Sequence, residues 1–171
     1  TREKLWKRLP FLKKEQMGIH ADVIELPYAN IFLLDSGKKG ILGEAQLNWL
    51  AQQLDKHTDR PALVFAHFNP LPNRGARPIR GMRDGEALLK VLARRKHAKA
   101  YVHGHTHEWQ KSKHEHLHII GQPAVSYYFE KGHAHGWIDM KLTERSADLE
   151  LHCVDPKHKQ NAAQRQILFI G

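Results

Sequence analysis

The chain has 171 residues, a formal net charge of +9 and one cysteine, with 41% hydrophobic and 26% charged residues. These values are typical of one globular domain, and they exclude an internal disulfide framework. No apolar run approaches the roughly 20 residues of a membrane helix. The single Cys153 favours a reducing compartment, so we expect a cytoplasmic protein. The positive charge favours anionic ligands such as phosphate esters or nucleic acid.

Hydrophobic periodicity predicts alternating strands and helices in the first hundred residues. The expected strands are short apolar runs bounded by turn residues, and the expected helices have apolar residues spaced three and four apart. In chain order the predicted elements are strands at 21–26 and 29–35, a helix at 43–55, a strand at 61–66, a helix at 84–96 and a strand at 98–102. Asp84 is the expected N-terminal cap of the second helix.

A second pattern begins near Trp109, where short strands separated by turns follow one another. We predict antiparallel strands at 117–120, 124–129, 136–141, 148–154 and 167–170. The expected fold class is therefore α/β (α+β), with a mixed sheet flanked by helices and followed by antiparallel strands.

Two successive predicted strands end in histidine. The strand at 61–66 runs into His67, and the strand at 98–102 runs into a Gly-His-Thr-His sequence that contains His105 and His107. Because a helix joins them, the two strands should be neighbours with their carboxyl ends at one edge of the sheet. Neutral imidazole is a common metal ligand, and in an extended chain His105 and His107 would point the same way, with Thr106 turned away. These positions predict a metal site.

Each histidine motif also has a less specific interpretation. The chain contains 14 histidines, so pairs spaced two residues apart also arise by chance. His67 alone is compatible with a strand-end histidine that bonds to a backbone carbonyl. His114, His116 and His118 have the same spacing but charged neighbours, and we expect them to line a solvated face.

The arrangement resembles the calcineurin-like metallophosphoesterase superfamily, in which a strand ending in a metal-binding histidine precedes a strand ending in Gly-His-x-His. His67 and residues 104–107 match these positions. Further similarities lie at 34–36, at 46–50 and at Gly136-Trp137, and the most similar branch contains cyclic-nucleotide phosphodiesterase-like enzymes. The first three motifs of the family, Asp-x-His, Gly-Asp-x-x-Asp and Gly-Asn-His-Asp/Glu, do not occur in this sequence.

The resemblance implies a fold, an activity and a ligand set. Residues 1–171 are expected to form a single incomplete domain, the C-terminal half of a metallophosphoesterase-type β-sandwich. His67 and His105 would bind the second metal ion and His107 the first. The full enzyme would hold two ions of Mn, Fe or Zn, and this chain at most one. The implied activity is metal-dependent hydrolysis of a phosphodiester or phosphomonoester, with a small phosphate ester or a nucleotide as substrate.

Substrate contacts are expected after the first histidine-ended strand. Asn69 follows His67, and the Pro-, Gly- and Arg-rich loop at 70–82 contains Arg74 and Arg77, although a solvated basic loop is an equally good interpretation. No further catalytic residue is identified.

Two other functions remain open. One is a basic nucleic-acid-binding module, and the other is a catalytically inactive interaction domain that keeps the fold. An uncovered sheet edge or face would favour association with a missing N-terminal half or with a second copy of the chain.

Overall fold

The computed structural model of the chain describes residues 20–72 and 79–169, together with Lys7. Within residues 20–72 and 79–169 there are two helices, α1 (Glu44–Lys56) and α2 (Gly85–Ala93). The strands are β1 (Asp22–Glu25), β2 (Asn30–Leu33), β3 (Ala62–Phe65), β4 (Ala98–His103), β5 (Gln110–His114), β6 (Leu117–Gly121), β7 (Gly136–Leu142), β8 (Ser146–Cys153) and β9 (Gln164–Leu168). They form a six-stranded sheet in the order β1-β2-β3-β4-β6-β5 and a three-stranded sheet in the order β7-β8-β9.

Four neighbouring strands of the six-stranded sheet run in the same direction. β2, β3, β4 and β6 are parallel, whereas β1 and β5 pair antiparallel at the two edges. Because parallel neighbours end on the same side, the segments that follow these four strands lie along one edge. We call this edge, at which Leu34, Ala66, Gly104 and Gln122 leave the sheet, the carboxyl rim.

The two helices cover one face of the six-stranded sheet. Leu50 and Leu54 of α1 and Leu88 and Leu92 of α2 are fully buried in one cluster with Phe32 of β2. Each fully buried leucine contributes about 1.5–3 kcal/mol to the free energy of folding. Among the residues that the structure describes, no helix has the length and apolar character that crossing a membrane requires.

The three-stranded sheet covers part of the opposite face. Leu149, Leu151 and Ile167 pack in a second buried cluster with Leu63 and Val102 of the larger sheet. The α/β (α+β) fold class, with a mixed sheet flanked by helices and followed by antiparallel strands, is confirmed.

Near β1 and β2, the three-stranded sheet leaves part of the face of the six-stranded sheet uncovered. Ile24 and Leu33 point to the same side as the second cluster, yet their side chains remain 41% and 38% exposed. Exposed apolar surface of this kind favours association. A missing half or a second copy as the covering partner stays a prediction.

The strand predicted at 117–120 is placed differently from our expectation. It forms β6, which pairs parallel with β4 inside the first sheet rather than antiparallel in a second one. The reason is a hairpin in which Glu115 adopts a positive φ of 53°, so that β5 folds back onto β6. The apolar β6 takes the buried position, and the polar β5 takes the edge.

Two further predicted strands differ from the structure. Residues 124–129 form no strand, because the chain bends away after Gly121 and returns where the Gly136 N–H donates to the Ala124 carbonyl at 3.0 Å. The last strand is β9 at Gln164–Leu168 rather than 167–170, and Ile170 lies outside the described residues.

Asp84 connects the two helices instead of capping its own. It occupies the N-cap position of α2 but makes no side-chain cap bond there. Its carboxylate accepts hydrogen bonds from the N–H groups of Leu42 at 3.0 Å and Gly43 at 2.8 Å, just before α1. One carboxylate therefore satisfies donors at the start of the other helix.

The two ends of the loop predicted at 70–82 lie side by side. The Met82 N–H donates to the Asn69 carbonyl at 2.8 Å. Gly85 approaches Pro70 so closely that a Cβ atom would lie 1.6 Å from the Pro70 oxygen. Only glycine allows that approach, so the entry and exit of the loop are held together.

Candidate metal centre

His67 and His105 come together at the carboxyl rim. β3 and β4 are adjacent and parallel, and the N–H groups of Gly104 and His105 both donate to the His67 carbonyl, at 3.1 and 2.9 Å. The ring atoms Nδ1 of His105 and Nε2 of His67 lie 3.2 Å apart. The structure thus brings together two of the three histidines that the sequence singled out.

The spacing of these two nitrogens fits a shared cation. Two imidazole nitrogens at about 2.0–2.1 Å from a tetrahedral zinc ion lie about 3.3 Å from each other. Desolvation by the surrounding protein lowers the pKa of both imidazoles, and neighbouring histidines lower each pKa further. Both rings are therefore held in the neutral form, which offers a lone pair to a metal ion.

His107 lies in the same turn, but its ring packs among aromatic side chains. It stacks on Phe129 with centroids 4.4 Å apart and an interplanar angle of 12°, and it meets Tyr127 edge to face at 4.6 Å. Its buried Nδ1 atom has no hydrogen-bond partner. Within residues 20–72 and 79–169, no group of three or more His, Cys, Asp or Glu side chains is arranged to hold a metal ion. His107 is therefore near the pair without completing it.

The turn that carries His105 and His107 is not extended, which corrects the reasoning by alternation. The His107 N–H donates to the Gly104 carbonyl at 3.1 Å, and His107 has a positive φ of 53°. Thr106, which was expected to turn away from the site, is buried, and its hydroxyl accepts a hydrogen bond from Gln110. A tight turn, rather than a period of two, decides where these side chains lie.

Phe68 supports both histidines of the pair. Its ring stacks on His105 with centroids 4.1 Å apart and meets His67 edge to face at 5.5 Å. The hydroxyl of the fully buried Tyr101 donates to the Phe68 carbonyl at 2.6 Å. Sequence reasoning missed this role, for which the signal was an aromatic residue directly after a strand-end histidine.

His103 precedes the turn and is enclosed in the protein. It is buried, and burial, with smaller effects from His105 and His67, lowers its pKa to about 4. His103 therefore stays neutral behind the pair and reinforces a site without fixed positive charge.

The residues predicted to contact substrate are only partly described. Asn69 is buried, and its amide Nδ2 donates to the Leu71 carbonyl, so it closes the turn after β3. Arg74 and Arg77 lie outside the described residues. Their role, like that of Asn69, stays a prediction.

The similarity at 34–36 and 46–50 has a structural explanation. Gln46 of α1 is buried, and its side chain accepts a hydrogen bond from the Asp35 N–H at 2.8 Å and donates to the Asp35 carbonyl at 2.9 Å. The Asp35 carboxylate in turn accepts from the Gly37 N–H at 2.7 Å. These bonds fix the path by which the chain leaves β2 at the carboxyl rim.

The other histidine series, which was expected to line a solvated face along one strand, is divided by the β5–β6 hairpin. His114 belongs to β5, His116 to the turn and His118 to β6, and all three are half-buried. His116 Nε2 lies 3.2 Å from the Arg95 carbonyl. The hairpin therefore separates these side chains, and they line neither one strand nor a fully solvated face.

Known proteins similar to this chain include cyclic-nucleotide phosphodiesterases. The chain is 27% identical over 151 residues to the 3',5'-cyclic adenosine monophosphate phosphodiesterase CpdA of Haemophilus influenzae, covering 85% of this chain and 55% of that protein. It is 32% identical over 80 residues to a probable cyclic nucleotide phosphodiesterase of Pseudoalteromonas, covering 47% of this chain and 30% of the relative. The chain spans about half the length, or less, of these relatives. No family model matches it.

Solved structures with a similar fold include phosphatases. A dimetal phosphatase from Danio rerio superposes with a TM-score of 0.72 at 16% identity, covering 99% of this chain and 68% of that one. A purple acid phosphatase from yellow lupin, Lupinus luteus, gives 0.62 at 13% identity, covering 91% and 34%. The resemblance to the calcineurin-like metallophosphoesterase superfamily is confirmed, and the fold is of the metallophosphoesterase type.

Proposed function

From the metallophosphoesterase fold as premise, we propose that this chain carries part of the active site of a metal-dependent phosphoesterase, with His67, His105 and His107 as metal ligands. One observation carries the proposal: ring nitrogens of His67 and His105 lie 3.2 Å apart at the carboxyl rim. Open α/β sheets bind their ligands at this edge.

The pair of histidines has the properties of a preformed half-site. Phe68 packs against both rings, and the backbone of the turn after β4 bonds to the His67 carbonyl, so neither ring has to reorganise to bind. Imidazole ligands suit Mn, Fe or Zn. When bound, such an ion would polarise a phosphoryl oxygen and lower the pKa of a water molecule.

The substrate class proposed is a phosphodiester or phosphomonoester, including nucleotides. The names of the relatives and the net charge of +9 support it, since a basic protein concentrates anions near its surface. Two close histidines are fewer than the three or four protein ligands of a catalytic zinc site. The proposal therefore places the remaining ligands partly on His107 and partly outside the described residues, with at most one ion held by this chain alone.

An inactive domain that keeps the fold is the second candidate. The observation that favours it is the absence of a three-ligand group among the described side chains. The two candidates differ in whether metal binding leads to hydrolysis, so hydrolysis by this chain would decide in favour of the phosphoesterase.

The experiment measures bound zinc by mass spectrometry after dialysis, and hydrolysis of an activated phosphodiester with added Mn²⁺, for the native chain, His105→Ala and His114→Ala. The hairpin residue His114 is the matched control. We expect zinc in the native chain and in the control, and none in His105→Ala. Hydrolysis by the native chain supports the phosphoesterase, and metal binding without hydrolysis fits both an inactive domain and a site that is incomplete in this chain alone. Equal zinc content in all three proteins would contradict the proposed site.

A further inference from the structure

The loop that follows β6, residues 122–135, stands beside the candidate metal centre. We call it the aromatic loop. β6 is the direct neighbour of β4, and both leave the sheet at the carboxyl rim. The Gln122 N–H donates to the His103 carbonyl at 2.8 Å, so the loop begins against the strand that carries the metal-site turn.

The aromatic loop presents apolar rings to solvent at this rim. Residues 125–128 are all exposed, and Tyr127 and Tyr128 keep 54% and 45% of their surface accessible. Tyr127 touches His107 edge to face, whereas Phe129 stacks on the face of His107. Phe129 therefore fixes the histidine, and Tyr127 remains more than half open to solvent.

We propose that Tyr127 is a stacking platform for the base of a nucleotide whose phosphate is held at the histidine pair. The inference rests on the proposed function and adds to it a substrate class and a residue that selects it. Bases stack on aromatic side chains because each base has an accessible π-face, and the interaction tolerates any base identity. Because Tyr127 contacts His107, which lies in the same turn as His105, its ring lies on the part of the carboxyl rim that carries the histidine pair.

A second exposed tyrosine in the chain supplies a matched control. Tyr28 keeps 42% of its surface accessible and precedes β2. It therefore lies at the opposite end of the parallel strands from the carboxyl rim. A general effect of removing an exposed ring would appear at both tyrosines, and an effect on base binding only at Tyr127.

The test compares two ligands that share a phosphate and a sugar but differ in the base. Titration calorimetry with adenosine 5'-monophosphate and with ribose 5-phosphate is done in the presence of Zn²⁺ on the native chain, Tyr127→Ala, Tyr127→Phe and Tyr28→Ala. The His105→Ala variant tests the phosphate site itself. Thermal melts of each variant check that it is folded.

We expect the native chain to bind adenosine 5'-monophosphate more tightly than ribose 5-phosphate by at least about fivefold, the lower end of base–aromatic stacking. Tyr127→Ala should remove this preference, so that the two ligands bind with similar affinity. Tyr127→Phe and Tyr28→Ala should both keep the preference.

The outcomes separate the two proposals. If both ligands bind equally well and depend on His105, the stacking role is overturned and the phosphoesterase proposal stands. If neither ligand binds, or if binding survives His105→Ala, the proposed function is overturned together with the platform. Loss of the preference in Tyr28→Ala as well as in Tyr127→Ala would also overturn the assignment to Tyr127.

Discussion

Two groups of histidines in this molecule share the same sequence spacing but have different surroundings. At the carboxyl rim, His105 faces His67, and the ring of Phe68 contacts both of them. In the β5–β6 hairpin, burial and three lysines, Lys111, Lys113 and Lys99, lower the pKa of His118 to about 4. Fixed positive charge repels a cation, so local charge and convergence, rather than His-x-His spacing, favour the carboxyl rim as the candidate metal site.

The largest expected effect concerns metal affinity at the two groups. Removing a direct ligand should weaken zinc binding by more than the roughly 10–100-fold typical of residues that only orient a ligand. We therefore expect His67→Ala to lower zinc affinity more than 100-fold, and His118→Gln to leave it unchanged, in a competition titration with a chromophoric chelator. An equal loss in the two variants would remove the distinction between the groups.

Metal binding should stabilise the rim by an amount comparable to a buried side chain. A ligand present at 100 times its dissociation constant adds about 2.7 kcal/mol to the free energy of unfolding. We expect this gain in urea unfolding of the native chain and of His118→Gln, and its absence in His105→Ala. A chelator should reverse the gain in the first two proteins, and a gain that persists in His105→Ala would place the ion elsewhere.

Loss of the hydrogen bond between Tyr101 and the Phe68 carbonyl should have a smaller effect. Tyr101→Phe removes the hydroxyl that donates to the Phe68 carbonyl and leaves that buried acceptor without its donor. We expect a loss of about 1–3 kcal/mol in the free energy of unfolding, with a measurable fall in zinc affinity because Phe68 packs on both histidines. A loss of stability with unchanged zinc affinity would show that Phe68 does not position the pair.

The smallest expected effect is a dependence of stability on pH, which comes from His118 in the β5–β6 hairpin. With a folded pKa of about 4 and an unfolded value near 6.5, the unfolded chain binds the His118 proton first on acidification. Proton binding to His118 of the unfolded chain does not affect stability above pH 6.5. It lowers the free energy of unfolding progressively from pH 6.5 to pH 4. Because the ring is partly exposed to solvent, we expect about 1 kcal/mol, seen as a larger loss between pH 7 and pH 4.5 for the native chain than for His118→Gln. Equal losses would contradict the lowered pKa of His118, which comes first from burial and then from the lysines.

The sequence predicted the parts of the molecule in which short-range patterns decide the structure. Apolar periodicity located both helices and most strands, and the strand–helix–strand order placed His67 and His105 at one edge. It failed where a single backbone torsion decides the result. Glu115 and His107 both adopt a φ of 53°, and these torsions set the β5–β6 hairpin and the turn that carries His107.

The sequence also did not predict the roles of side chains whose partners lie far away along the chain. Asp84 had the correct residue type for a helix cap, but its hydrogen bonds go to Leu42 and Gly43, which are more than forty residues away in sequence. The contacts of Phe68 with the histidine pair and of Tyr127 with His107 depend on how β3, β4 and β6 lie beside one another, which the local sequence does not specify.

The close approach of Gly85 to Pro70 has a consequence for how this protein can diversify. Because residues 69–70 and 82–85 are held together, we expect the flanking strand and helix to keep their positions when the stretch between them is changed. Doubling the length of a flexible loop costs only about 0.6 kcal/mol in closure entropy. We expect a graft of several glycines and serines between residues 73 and 78 to leave the melting temperature within a few degrees and zinc affinity unaltered, whereas Gly85→Ala should disturb both.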